Sequence, residues 1–142
     1  MSRIITKPFR ESHADLFESA PAYAEHYKAF MPLLIGLGKI DQCGSNILDG
    51  RIIYIGGWAE AAPGVAELFI FPSIYAERKA KSFFEHARWW VDFLKSDYRR
   101  LQCWGEDTEL SKRWLSRLGF SYEGTLKNYV GEGQNMTIWG KL

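Results

Sequence analysis

A carboxylate, Glu67, stands inside the apolar run Val65-Ala66-Glu67-Leu68-Phe69-Ile70-Phe71. A carboxylate on a central strand with an apolar surround can hold a proton more readily than one in water, which is what a general base working on an ammonium group needs. Two ordinary fates compete with that role: a place at the solvent side of a strand end, or an ion pair with a neighbouring arginine. A second cluster, Arg78, Lys79 and Lys81, crowds the opening of an amphipathic run. Cations there oppose the helix dipole, so a bound anion would offset the mismatch. Alternatively they are solvated charges balanced by Glu77 and Glu85. His13, His26 and His86 show no HxH or HExxH spacing, which gives metal chemistry no support. There is no G-x-S-x-G elbow, and Cys43 and Cys103 have no histidine paired nearby in sequence.

These residues need elements to position them. Arg3 to Lys7 alternates as a short first strand, which Pro8 ends by removing a donor. Ser12 is expected to cap a helix near His13, with Leu16 and Phe17 on its buried side. Pro21 starts a second helix carrying Tyr23, Tyr27, Phe30 and Met31, whose end falls somewhere between Pro32 and Gly38. Asn46 to Leu48, Asp49-Gly50, and Arg51 to Trp58 form a hairpin, because Asp-Gly supplies the positive φ angles of a tight turn. Ala62-Pro63-Gly64 then turns the chain into Val65 to Phe71. A helix from Tyr75 to Lys95 places Ala80, Phe83, Phe84, Ala87, Val91 and Leu94 on one stripe. Within it Trp89 and Trp90, about 100° apart, cannot share a face. Tyr98 to Trp104 is a strand, parallel to Val65–Phe71 through a right-handed crossover. A helix bearing Leu110, Trp114, Leu115 and Leu118 stops at Gly119, and a closing hairpin follows. The order β-α-α-β-β-β-α-β-α-β-β describes an α+β domain with a mixed central sheet flanked by helices, expected to span residues 1–142.

Composition bounds the classes. The chain has 142 residues, 46% hydrophobic and 15% aromatic, enough to bury a core without staples. Eighteen Lys and Arg against seventeen Asp and Glu give a formal charge of +1, so overall electrostatics points to neither nucleic acid nor an anionic membrane. Two distant cysteines read as reduced thiols. The sequence shows neither a signal-peptide pattern nor a run of about 18 apolar residues, so a soluble cytoplasmic protein is expected.

The ordered set Asp49-Gly50, Gly56-Gly57, Pro63-Gly64, Pro72-Ser73, Tyr98-Arg99-Arg100-Leu101, Arg113-Trp114, Leu118-Gly119-Phe120, Glu123-Gly124 and Tyr129 with Gly133 resembles the GNAT (Gcn5-related N-acetyltransferase) superfamily. Within that superfamily it is similar to a branch common in phages and prophages that also resembles internal virion proteins. The resemblance implies a single-domain GNAT-like fold and transfer of an acetyl group from acetyl-CoA to an amine on a small molecule or protein. It implies Glu67 as base and the backbone of Phe69, Ile70 and Phe71 as the strip that positions the cofactor. The pyrophosphate loop, Q/R-x-x-G-x-G/A in the family, falls on Tyr75, Arg78 and Ala80, with Lys79 and Lys81 beside them. Arg78 replaces the first glycine, so the loop is degenerate. The tyrosine that protonates the departing thiolate in many relatives is replaced by Leu115, and Tyr98, Tyr122 and Tyr129 are the remaining phenols. The same resemblance implies, as the alternative, a catalytically inactive phage or prophage assembly protein binding virion proteins in the host cytoplasm or virion. A second copy of the chain, as a homodimer, is a further implied partner.

Overall fold

The computed structural model describes residues 3–142. Its elements are β1 (Ile5–Pro8), α1 (Glu11–Ala14), a 3-10 turn (Pro21–Tyr23), α2 (Ala24–Lys39), β2 (Cys43–Leu48), β3 (Arg51–Ala62), β4 (Val65–Pro72), α3 (Ala80–Lys95), β5 (Arg100–Glu106), α4 (Glu109–Arg117), β6 (Ser121–Gly131) and β7 (Gln134–Lys141). This is the expected α+β order. The strands form one mixed seven-stranded sheet in the order β1-β2-β3-β4-β5-β7-β6, parallel at β4–β5. Contacts gather into two compact units, one running through Ala59 with Phe69–His86, the other comprising Glu60–Leu68 and Ala87–Leu142.

In the first unit, the β2–β3 hairpin turns at Asp49 (φ 52°) and Gly50 (φ 78°), the left-handed pair that a two-residue turn requires. The core gathers Phe9, Tyr27, Leu34, Ile53, Tyr54, Ile55, Phe71 and Phe83, all buried. Helix α2 turns Tyr27, Leu34, Leu37 and Gly38 inward and continues through Pro32 to Lys39. Proline in mid-helix forfeits one backbone hydrogen bond, which packing of the inward face here outweighs. Gly38 is required by close approach, since a Cβ there would strike the Phe9 carbonyl oxygen.

Three local expectations change. Helix α1 begins at Glu11 after Arg10, which makes no side-chain cap bond, so Ser12 lies inside a single turn instead of capping it. That turn ends at Ala14, leaving Leu16 70% exposed while Phe17 is buried. Pro8 is part of β1, paired with Gly44, a place open to proline because β1 is the edge of the sheet.

A polar circuit crosses this unit. Thr6 Oγ1 donates to Asn46 Oδ1 (2.7 Å), and Asn46 Nδ2 donates to the Tyr54 carbonyl (3.2 Å). The Tyr54 hydroxyl meets His86 Nδ1 at 2.6 Å, and His86 Nε2 lies 3.5 Å from Thr6 Oγ1. With Thr6 already donating to Asn46, the consistent arrangement is a neutral His86 that carries its proton on Nε2 and accepts from Tyr54. Burial holds His86 below the usual imidazole range. His13, whose Nδ1 lies 3.0 Å from Ser45 Oγ, is lowered by burial, then by Arg10 and Lys7.

In the second unit, β4 and β5 register from Val65↔Arg100 to Leu68↔Cys103. Strand β7 pairs antiparallel with both β5 and β6. Thr108 caps α4 by accepting the Ser111 amide at 3.2 Å. The helix closes at Gly119 (φ 92°) with Gly119 N–H on Ser116 and Phe120 N–H on Leu115, the two bonds of a Schellman end. Helix α4 lies close on β5, because a Cβ on Gly105 would come 2.6 Å from Leu115 Cδ1. Ser111 Oγ is buried there without a hydrogen-bond partner.

Helix α3 starts at Ala80, not Tyr75. The preceding residues form turns in which the Ala76 amide donates to Ser73 O and the Lys79 amide to Tyr75 O. Its tryptophans divide as their spacing requires: Trp89 is 61% exposed and stacks on Phe93, while Trp90 is half-buried.

Two outcomes follow. The unfolded chain protonates its histidines below about pH 6.5, before the lowered His13 and His86 rings of the folded state. Stability is therefore complete above that pH and is lost as pH falls towards the folded values. The urea midpoint should be lower at about pH 5.5 than at 7.5, with a smaller difference in His86→Gln; equal wild-type midpoints contradict the assignment. Ser111→Ala removes an unsatisfied buried hydroxyl and should raise stability by about 0.5–1 kcal/mol in urea unfolding, and a decrease contradicts it.

Candidate functional site

The parallel register places Glu67 beside Gln102, and the two-residue period of β5 puts Arg100, Gln102 and Trp104 on one face. Glu67 is half-buried there. Its Oε1 accepts the indole N–H of Trp104 at 2.6 Å and the amide Nε2 of Gln102 at 3.1 Å. Both donors are neutral. Arg100 reaches the carboxylate only through Gln102, donating from Nε to Gln102 Oε1 at 3.2 Å. Its guanidinium is otherwise clamped by Glu123, with N–O distances of 2.9 and 2.5 Å. The Arg100 hydrogen bond and charge hold the Glu123 carboxyl below the usual range, and Glu123 raises Arg100 in turn. The motif residue Glu123 is thus linked to Glu67 through two side chains.

On its other side Trp104 stacks against Tyr129, with centroids 5.3 Å apart and planes within 20°. Tyr129 lies in a bulged stretch of β6, where the pairing with β7 shifts between Leu126 and Gly131 and Asn128 takes φ 57°. Asn128 tolerates that left-handed backbone because its amide donates to Asn135 Oδ1 and its own Oδ1 accepts from the Gly133 amide. Asn135 in turn donates to Asp107, which pairs with Lys112 at 3.2 Å. The bulge is therefore a fixed shape, and Tyr129 remains 59% exposed upon it.

The other candidates fall as follows. Phe69, Ile70 and Phe71 continue β4 beyond Glu67, with Phe69 and Phe71 buried against Phe30 at 5.4 and 6.2 Å and Ile70 half-buried. Tyr75 is held on both sides of its ring system: its hydroxyl donates to Glu18 (2.9 Å), which raises its pKa, and Arg51 lies 4.5 Å over its face. Its amide donates to Ser73 Oγ. Arg78, Lys79 and Lys81 are exposed, and Lys79 lies 3.8 Å from Asp49. Ala80 is the first residue of α3. Leu115 is buried on Gly105. Among the remaining phenols, Tyr122 bonds Thr125 (2.5 Å) and packs edge-on to Trp139, while Tyr98 has its pKa raised by burial, Glu60 and Asp97. Tyr129 joins the Glu67 group through its stack on Trp104. Cys43 and Cys103 are free and buried, and burial pushes both thiols up to about 12, which removes them as nucleophiles near neutrality.

Sequence reasoning singled out Glu67 and missed Gln102 and Trp104. The signal lay in the polar-apolar alternation of Arg100-Leu101-Gln102-Cys103-Trp104 beside a parallel strand. Among the described residues, no helix is long and apolar enough to cross a membrane, and no three His, Cys, Asp or Glu side chains are grouped to hold a metal ion.

No family model matches the chain, and no curated protein matches it. Solved structures do. Ard1 from Thermoplasma volcanium superposes with a TM-score of 0.77 at 12% identity, over 97% of this chain and 96% of that one. A GNAT-family acetyltransferase from Bacillus anthracis gives 0.69 at 12% identity, over 100% and 98%. A GCN5-related N-acetyltransferase from Brucella melitensis gives 0.63 at 19% identity, over 98% and 75%. These superpositions cover 97% or more of this chain, and they show that it has the GNAT fold.

Proposed function

We propose that the protein is a GNAT-like acyltransferase that moves an acetyl group from acetyl-CoA to an amine on a small molecule or a protein. The observation that carries this reading is Glu67, a half-buried carboxylate on β4 held by two neutral donors. A structural ion pair would use a cation, whereas neutral donors orient a carboxylate and leave an ammonium acceptor unrepelled.

The residues present fit the cofactor. The amides of Ser73, Ile74, Tyr75, Ala76 and Lys79 already donate within the protein, so a pyrophosphate would be held from Glu77 onward, into the first turn of α3. That turn carries no acidic residue, and Arg78, Lys79 and Lys81 add positive charge. Arg78 stands where the family's loop has glycine, so this degenerate loop relies more on side-chain charge and is more sensitive to salt. The backbone of Phe69, Ile70 and Phe71 would position the acyl arm.

Glu67 takes a proton from the ammonium form of the acceptor, giving the neutral amine. Acetyl-CoA supplies the thioester, whose C–S bond breaks as the amine nitrogen forms the new C–N bond. The nitrogen loses its second proton, CoA leaves as the thiol, and one proton is released to solvent overall. Tyr129, joined to the Glu67 group through Trp104, is the phenol best placed to serve as the acid.

A second reading, a non-catalytic protein that binds other proteins, is favoured by the exposed stacked pair Trp89 and Phe93. The virion partner that the sequence resemblance implies finds no support in the solved structures, which are acetyltransferases.

Two measurements separate these readings. Adding acetyl-CoA should change the intrinsic tryptophan fluorescence along a saturating curve, and Arg78→Glu should weaken binding; no response up to roughly millimolar ligand rules out the enzyme. Glu67→Gln should then lower kcat by about 100-fold with little change in acetyl-CoA affinity, and an unaltered kcat removes Glu67 as the base.

A further inference from the structure

We infer that Trp104 and Gln102 are positioning residues for Glu67, which saturate Oε1 and so assign Oε2 as the oxygen that meets the acceptor. Their part in catalysis rests on the proposed acetyl transfer; the hydrogen-bond geometry does not.

A carboxylate oxygen offers two lone-pair directions, and Oε1 of Glu67 receives two N–H donors, at 2.6 and 3.1 Å. Turning the carboxylate would break both bonds at once. Each donor is itself fixed from behind. Gln102 receives the Arg100 Nε–H on its Oε1, which leaves its NH2 for Glu67. Flipping that amide would set its NH2 against a guanidinium and its carbonyl against a carboxylate, so both contacts select one orientation. Arg100 is held in turn by both oxygens of Glu123. The Trp104 ring is backed by Tyr129, whose own place is set by the Asn128 bulge.

This arrangement settles direction without adding charge beside the base. Arg100 carries the nearby positive charge in the chain, but its bidentate partner Glu123 neutralises it, and Gln102 lies between it and Glu67. A substrate ammonium therefore approaches a fixed oxygen with no competing cation bonded to it. Loss of either donor frees the carboxylate to rotate, and the penalty falls on the proton-transfer step, not on cofactor binding.

Nitrogen-15 NMR tests the geometry without any turnover. Trp104→Phe assigns the Trp104 indole peak. Glu67→Gln should shift that peak and the Gln102 side-chain amide peaks, while leaving the Trp89 indole in place. Glu123→Gln should shift the Gln102 amide through Arg100. An indole peak unmoved by Glu67→Gln overturns the positioning assignment whatever the activity.

The kinetic arm uses two variants, so that a folding defect in one does not decide the matter. Trp104→Phe and Gln102→Leu should each lower kcat about tenfold, with the acetyl-CoA KM unchanged and a wild-type melting curve. Full kcat in both variants overturns the catalytic part. Absence of transfer by the wild type overturns the proposed reaction itself, a result distinct from an unmoved indole peak.

Discussion

The parallel register of β4 on β5 is the constraint from which the geometry around Glu67 follows. It sets Glu67 opposite Gln102 and brings the next outward residue of β5, Trp104, within 2.6 Å of the same carboxylate oxygen. A slip of one residue would turn Gln102 and Trp104 to the other face and leave Glu67 beside buried Leu101 or Cys103. The register is held by features that have nothing to do with chemistry. Leu68, Leu101 and Cys103 are buried on one face, and the Gly64 carbonyl accepts the amides of Arg99 and Arg100 where the two strands begin. Packing therefore fixes which side chains meet the Glu67 carboxylate.

Strand β4 has two uses along its length. Its first half, paired with β5, carries the carboxylate. Its second half, Phe69 to Pro72, belongs to the first compact unit, where Phe69 and Phe71 are covered by aromatic residues of α2. The registered pairs with β5 end at Leu68↔Cys103 although both strands continue, to Pro72 and Glu106.

Much of this order was legible in the residues. Asp49-Gly50 and Gly119 mark their turns because their left-handed backbones demand those residue types, and the motif Leu118-Gly119-Phe120 to Glu123-Gly124 marks a Schellman end followed by a strand. Glu67 was conspicuous as a carboxylate in an apolar run. Its partners were not, because Gln102 and Trp104 meet it only through a pairing between segments more than thirty positions apart. Local propensity also misjudged the head of α3. There Ser73 binds the Tyr75 amide through its hydroxyl and the Ala76 amide through its carbonyl, diverting backbone donors from an early helix start. Helix α2 runs through Pro32 and ends at Lys39, one residue past the range expected for its end.

The proposed cofactor site consists of backbone groups of residues 69–71 of β4 and of residues 77–82 leading into α3. Hydrogen–deuterium exchange, followed by peptide mass spectrometry with and without acetyl-CoA, tests it most directly. The prediction is slower exchange at residues 69–71 and 77–82 when acetyl-CoA is present. Unchanged exchange in both segments at saturating acetyl-CoA would contradict it.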